Sequence, residues 1–180
     1  MIFSHKELKI KYGSDYQIQK AVREKYIYKI ENGIYSDKKN NHYLDILMHK
    51  YPRAIISGDS AYYYHNLTDV IPKKIYITTN RNSWKFNDEH IIQSFSSDNY
   101  YNLGKTVIEF EGININIYNK ERMLIELMKN KNSTPYDYYK EIVNNYRRIR
   151  NELDVYKLQE YVSKYPNGER LMEMIQDEVF

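Results

Sequence analysis

The stretch SDYQIQKAVREKYIYKIENGIYS, residues 14–36, decides how the N-terminal end is read. Ser14 followed by Gln17 has the form of a capping box, in which the serine accepts a helical N–H and the glutamine reaches back. The helix it starts runs to about Lys25. Ile18, Ala21 and Val22 share one face, at the spacing of a buried stripe. Tyr16, Gln17, Lys20 and Arg23 fall largely on the other. Two β-rich runs then flank Asn32-Gly33. That dipeptide signals a tight hairpin, because both central residues tolerate positive φ.

Upstream, SHKE at 4–7 is a second capping box, with Ser4 and Glu7 as its members. A short helix should follow and end near Tyr12-Gly13, where glycine permits a left-handed exit. Helix, tight turn, helix, hairpin is the order of a winged helix-turn-helix, whose second helix enters the DNA major groove. The candidate DNA contacts are Ser14, Tyr16, Gln17, Lys20 and Arg23 on the helix, with Lys29 and Asn32 on the hairpin. Gln17 suits an adenine edge, and Lys20 and Arg23 suit phosphate or guanine. Most such modules carry another helix ahead of the pair. HYLDILMHK at 42–50, with Leu44, Leu47 and Met48 at helical spacing, is the segment placed to supply that support. The competing reading is a small helical cap on a larger domain, with solvated surface charges.

Charge placement favours a polyanion-binding end. Residues 1–40 hold nine Lys/Arg against five Asp/Glu, whereas residues 41–180 hold 18 against 19, so the overall +3 is an N-terminal excess. Tyrosine occurs 21 times. Lys, Asn, Ile and Tyr all have AT-rich codons, so genome composition is a simpler cause of that count than base stacking. The 180 residues suit one medium domain, or a small module joined to a larger one. With no cysteine, disulfides and thiolate metal sites are excluded. No signal-like apolar run opens the chain, and no window approaches the roughly 18 apolar residues of a membrane span. A cytoplasmic protein is the expectation.

The polar run SDKKNN at 36–41 marks the boundary, giving a module over 1–38 and a domain over 39–180. In the latter, RAIISG reads as a short buried strand. Ser57 follows at a helix N-cap, with Asp59 and Ser60 in the first turn. KKIYITT (73–79) and HIIQSF (90–95) read as strands, and TVIEFEGININIY (106–118) as a hairpin around Glu111-Gly112. Asn119 caps a helix whose apolar face is Met123, Leu124, Leu127 and Met128. Thr134 caps the next, with Pro135 at its first helical position and Tyr139, Ile142, Val143 and Tyr146 inward. Asp154 starts a further helix, and a last one carries Leu171, Met172 and Ile175 on one side. The expected fold class is α+β: a small winged helix-turn-helix, then a mixed α/β domain ending in a helical bundle.

There is no phosphate-binding glycine loop, no HExxH and no paired His/Asp metal spacing, so no cofactor or metal is expected. SGDSAYYYHNLTD (57–69) holds the side-chain types of a hydrolase: Ser57 or Ser60 as nucleophile, His65 as base, Asp69 to orient it. Ser57 and His65 are eight residues apart on one short helix, about 12 Å of rise. That exceeds the reach of a nucleophile–base pair. Ser60 and His65 are off same-face spacing. No catalytic residue is assigned. RRIR at 147–150 is basic and ends a helix, where the dipole favours cations. Arg147, Arg148 and Arg150 are also the candidate contacts for an acidic partner.

Three stretches carry a family resemblance: VREKYIYKIENGIYS, YPRAIISGDSAYYYHNLTDVIPKKIYITTNR and INIYNKERMLIELMKN. Within them the telling positions are Gly33-Ile34-Tyr35, Pro52 with Ala54, Ser57 with Ser60-Ala61, His65 with Leu67-Thr68-Asp69, Ile71-Pro72 with Ile75, and Glu121-Arg122. The chain resembles the AbiEi-type antitoxins of type IV (abortive-infection) toxin–antitoxin systems, a phage-defence device. The resemblance implies an N-terminal winged helix that binds inverted repeats upstream of its own operon and represses it. It implies a C-terminal domain that neutralises a nucleotidyltransferase-like toxin, which makes Arg147, Arg148 and Arg150 candidate toxin contacts. It implies no catalytic centre and no membrane partner, and a homodimer would match the inverted repeats. The alternative is a winged-helix transcriptional regulator without a toxin, its larger domain serving dimerisation or ligand sensing.

Overall fold

A computed structural model describes residues 1–180. The chain is α+β, with a mixed N-terminal region followed by a helix-rich C-terminal region. The elements in order are β1 (Ile2–Ser4), α1 (His5–Tyr12), α2 (Asp15–Arg23), β2 (Tyr28–Glu31), β3 (Ile34–Ser36), α3 (Tyr43–Lys50), β4 (Ile55–Ile56), α4 (Gly58–Tyr64), β5 (Ile75–Asn80), β6 (Ile91–Ser96), α5 (Asp98–Tyr101), β7 (Lys105–Phe110), β8 (Ile113–Tyr118), α6 (Lys120–Lys129), α7 (Tyr136–Arg148), α8 (Val155–Val162) and α9 (Gly168–Val179). A 3-10 turn, Arg150–Glu152, separates α7 from α8. No helix is long and apolar enough to cross a membrane.

The chain forms two compact units: residues 1–53 with 111–114, and residues 54–110 with 115–180. In the first, a three-stranded sheet has the order β1-β3-β2, and both pairings are antiparallel. Its core gathers Leu8, Ile18, Ala21, Ile27 and Tyr35. The capping box at the start of α1 forms in full: Ser4 Oγ accepts from Glu7 N, and Glu7 Oε2 accepts from Ser4 N at 2.7 Å. At α2 only the forward bond forms, from Gln17 N to Ser14 Oγ at 3.3 Å. In the hairpin only Gly33 takes a positive φ, at 82°, not both turn residues as the Asn-Gly signal suggests. A bulge between Lys29 and Glu31 absorbs the difference: Lys29 pairs with Tyr35 and Glu31 with Ile34, leaving Ile30 as the extra residue. α3 packs against β1. It is fastened by His49 Nε2 to Glu7 Oε2 at 3.4 Å and Lys50 Nζ to Glu31 Oε1 at 2.8 Å.

The second sheet has the order β6-β5-β4-β8-β7. β5 runs parallel to β6 and antiparallel to β4, while β4 is parallel to β8. At the β7–β8 turn, both Glu111 (φ 51°) and Gly112 (φ 79°) are left-handed, which is the geometry of the tightest hairpins. The apolar spacing of α6 suggests one buried face. The helix is instead buried on nearly all sides, through Glu121, Arg122, Met123, Leu124, Ile125, Leu127 and Met128. Asn119 caps it as expected, accepting from Arg122 N at 3.0 Å. Tyr139, Ile142, Val143 and Tyr146 of α7 all face inward and are buried. The α7 start needs correction: Pro135 occupies the cap position, and Thr134 Oγ1 bonds back to Asn130 O at 2.9 Å.

Candidate nucleic-acid interface

α2 is presented by its own burial pattern. Ile18 and Ala21 are anchored in the core, so the opposite face must point to water. Tyr16, Gln17, Gln19, Lys20 and Arg23 are all exposed. Tyr16, Gln19, Lys20 and Arg23 fall at i, i+3, i+4 and i+7, so they form one stripe along the helix. Gln17 flanks that stripe. Gln19 is the member that sequence reasoning missed; the same periodicity, counted from Tyr16 instead of from the buried face, would have found it. Tyr26 just beyond the helix is also exposed.

The start of the helix is fixed from α1. Asp15 receives His5 Nε2 at 2.8 Å and Lys9 Nζ at 3.3 Å. Chiefly the Lys9 hydrogen bond holds its carboxyl below the usual carboxylate range. Ser14 is half-buried, and its hydroxyl serves the cap; of the predicted contacts it is the one already engaged within the fold. Lys20 has a loose partner, Glu24 at 3.9 Å, while Arg23 and Lys29 form no ion pair, so their charges are unneutralised. Lys29 and Asn32 are exposed on the hairpin. Its tip is tethered by His5 N donating to Gly33 O at 2.9 Å.

The three arginines of the second unit separate. Arg147 Nε donates to Glu178 O at 2.5 Å, so it clamps α7 to the end of α9. The nearby Glu178 carboxylate takes Lys131 at 2.5 Å and Lys140 at 3.5 Å, and the Lys131 hydrogen bond leads in holding its pKa down. Arg148 bonds Asn145 Oδ1 on its own helix at 3.1 Å. Arg150 is exposed in the 3-10 turn.

No family model matches the chain, and no curated protein matches it.

The serine–histidine stretch is distributed over different partners. Ser57 stands at the α4 cap position, yet its side chain makes no cap bond and instead accepts from Thr78 Oγ1 at 2.8 Å. Ser60 Oγ accepts from Tyr76 N at 2.9 Å. His65 Nε2 donates to Tyr118 O at 2.7 Å, and burial pushes its pKa down. Thr68 Oγ1 and Asp69 N both donate to Glu141 Oε1, at 2.7 and 3.0 Å. These bonds join α4 and the turn after it to β5, β8 and α7.

Proposed function

We propose that the chain is an antitoxin of a type IV toxin–antitoxin system, which represses its own operon by binding inverted-repeat DNA and counteracts a nucleotidyltransferase-like toxin. The observation that carries the DNA half is the exposed stripe Tyr16, Gln19, Lys20 and Arg23 on a helix whose other face is locked into a core. On this reading residues 1–38 are a winged helix-turn-helix, α2 is the recognition helix, and β2–β3 is the wing. The sheet order β1-β3-β2 supports it: the hairpin follows the second helix, and the strand that precedes the helix pair lies at the edge. α3, fastened through His49 and Lys50, takes the supporting place of the helix such modules usually carry first.

The antitoxin half rests on the resemblance of residues 51–81 and 115–130, and assigns the chain no catalytic step and no cofactor. A homodimer placing two copies of α2 about 34 Å apart would match two half-sites one helical turn apart. The test is a band shift on the chain's own promoter across a salt series. Arg23→Ala should weaken binding and reduce the slope of log K against log salt by about 0.9 for each phosphate it leaves unneutralised. No shift at low salt would reject the repressor half. Co-expression with a toxin encoded alongside tests the other half, and undiminished toxicity rejects it.

A further inference from the structure

A cleft of about 600 Å³ lies within the second unit. Thr78 of β5, Ser94 of β6 and Tyr118 of β8 form its floor, and the start of α4 and one side of α6 form its walls. A volume of this order suits a small-molecule ligand.

Six tyrosines line the cleft; the hydroxyls of Tyr62, Tyr100, Tyr118 and Tyr165 are engaged, while that of Tyr138 is buried without a partner. Tyr118 donates to Tyr101 O at 2.9 Å, Tyr100 to Lys164 O at 3.1 Å, and Tyr165 to Glu126 Oε1 at 3.2 Å. The four engaged tyrosines offer an occupant ring surface, and Tyr138 adds a free hydroxyl. The floor offers something else. Thr78 Oγ1 lies 2.8 Å from both Ser57 Oγ and Ser94 Oγ, and it donates to Ser57. Ser57 is buried, caps nothing, and has no acceptor for its own proton. The hydroxyl chain therefore ends in a spare donor.

Arg122 supplies a buried charge. Its side chain is 5% exposed, and it pairs with Glu126 Oε1 at 2.7 Å. The guanidinium lies over the rings of Tyr118 and Tyr165, at 5.0 and 5.6 Å. Its Nε is buried with no acceptor. A native structure rarely leaves a buried charged donor unmet without a bound group to complete it. Lys129 shares the same carboxylate at 3.0 Å, so two cations gather around Glu126, and with Asp59 the charged side chains of the lining balance to zero. Asp59 and Glu126 both line the cleft, which opposes a ligand of higher negative charge.

We propose that this cleft binds a small aromatic acid, a planar ring held among the tyrosine faces with its single carboxylate toward Arg122 and a ring oxygen accepting from Ser57. The site stands apart from the DNA-binding reading and does not depend on it. The experiment is calorimetric titration of the full chain with 4-hydroxyphenylacetate. Saturable binding with a Kd at or below about 1 mM is expected. 4-Hydroxybenzyl alcohol, which lacks the carboxylate, should bind about tenfold more weakly. Ser57→Ala should cost 4-hydroxyphenylacetate a similar factor while leaving phenylacetate, which lacks the ring oxygen, unchanged. Ser96→Trp, at a half-buried lining position, should fill the cleft and abolish binding. The proposal is overturned by the absence of saturable binding at that concentration, by adenosine monophosphate binding as tightly as the acid, or by unaltered affinity in Ser57→Ala and Ser96→Trp.

Discussion

Leu8 and Leu124 are both fully buried, but their surroundings differ. Leu8 is the one buried residue of α1, in a core of five buried side chains shared with α2, Ile27 and β3. That unit is held at its perimeter as well, by the Ser4–Glu7 box and by the ion pairs of His49 and Lys50. Leu124 sits midway along a helix buried on nearly every side, packed by α4, α8 and α9. The contrast locates where a core can yield. The small cluster that holds Leu8 is edged by half-buried Phe3, Tyr12 and Val22, which can close over a gap. Around Leu124 the packing comes from three helices on a helix that is itself buried on nearly every side, leaving little room to close.

The largest expected effect follows from that contrast. Leu124→Ala should cost about 4 kcal/mol, and Leu8→Ala about 2–3 kcal/mol, because residual cavity volume sets the spread at fixed chemistry. Amide hydrogen exchange, read separately on α1–α2 and on α6–α9, measures both. Equal costs would mean that the two cores yield alike.

The glycines repeat the contrast at smaller scale. Gly33 and Gly104 both have left-handed φ, at 82° and 74°. A Cβ at Gly33 meets nothing within 4 Å, whereas one at Gly104 would lie 2.5 Å from Arg122 Cβ and 2.8 Å from Asn119 Oδ1. Gly33→Ala should therefore cost only the left-handed strain, about 1–2 kcal/mol. Gly104→Ala adds a clash against a buried helix and should cost about 3 kcal/mol. Denaturant midpoints for the two variants give the difference directly.

How far the sequence can be read follows the same division. The first unit is legible because its signals are local: Ser4 with Glu7, Ser14 before its helix, Gly33 in the turn. What escapes is β1, three residues whose strand state depends on pairing with β3, on the far side of both helices in the chain. In the second unit the apolar stripes of α6 and α7 are legible as periodicity. Burial of Glu121 and Arg122 is not, because the groups that enclose them arrive from far along the chain: Asp154 N on Glu121, and, beyond the local Glu126 pair, Tyr100 O with rings from β8 and the α8–α9 turn on Arg122. Ser57 misleads as a cap for the same reason. Its position is right, but its hydroxyl partner, Thr78, arrives from another strand. The exposed stripe of α2 needs only its own spacing, so that face is nearly complete in the sequence; the cleft, assembled from several elements, leaves no mark in any one of them.

Acid separates the two units by pH window, with the smallest effect under neutral conditions. His65 has its folded pKa pushed below the ordinary 6.5 by burial, so the unfolded chain binds the proton first. Its contribution is intact above pH 6.5 and is lost progressively as pH falls below that value toward the folded pKa. Glu7 is the counterpart in the first unit. The backbone hydrogen bond from Ser4, then its hydroxyl, holds the carboxyl below the ordinary 4.5, so the capping box gives way only as pH falls below that value and through the depressed folded pKa. His65→Gln keeps a side-chain N–H to offer Tyr118 O but cannot titrate. It should match the parent under neutral conditions and flatten the acid loss of the second unit that begins below pH 6.5. Glu7→Gln should leave the second unit's window untouched; it should weaken the first unit under neutral conditions and flatten that unit's own loss below pH 4.5, where the parent's carboxyl is protonated anyway. Hydrogen exchange across a pH series, corrected for intrinsic rates, checks both, and an acid loss unchanged by His65→Gln would remove His65 as its source.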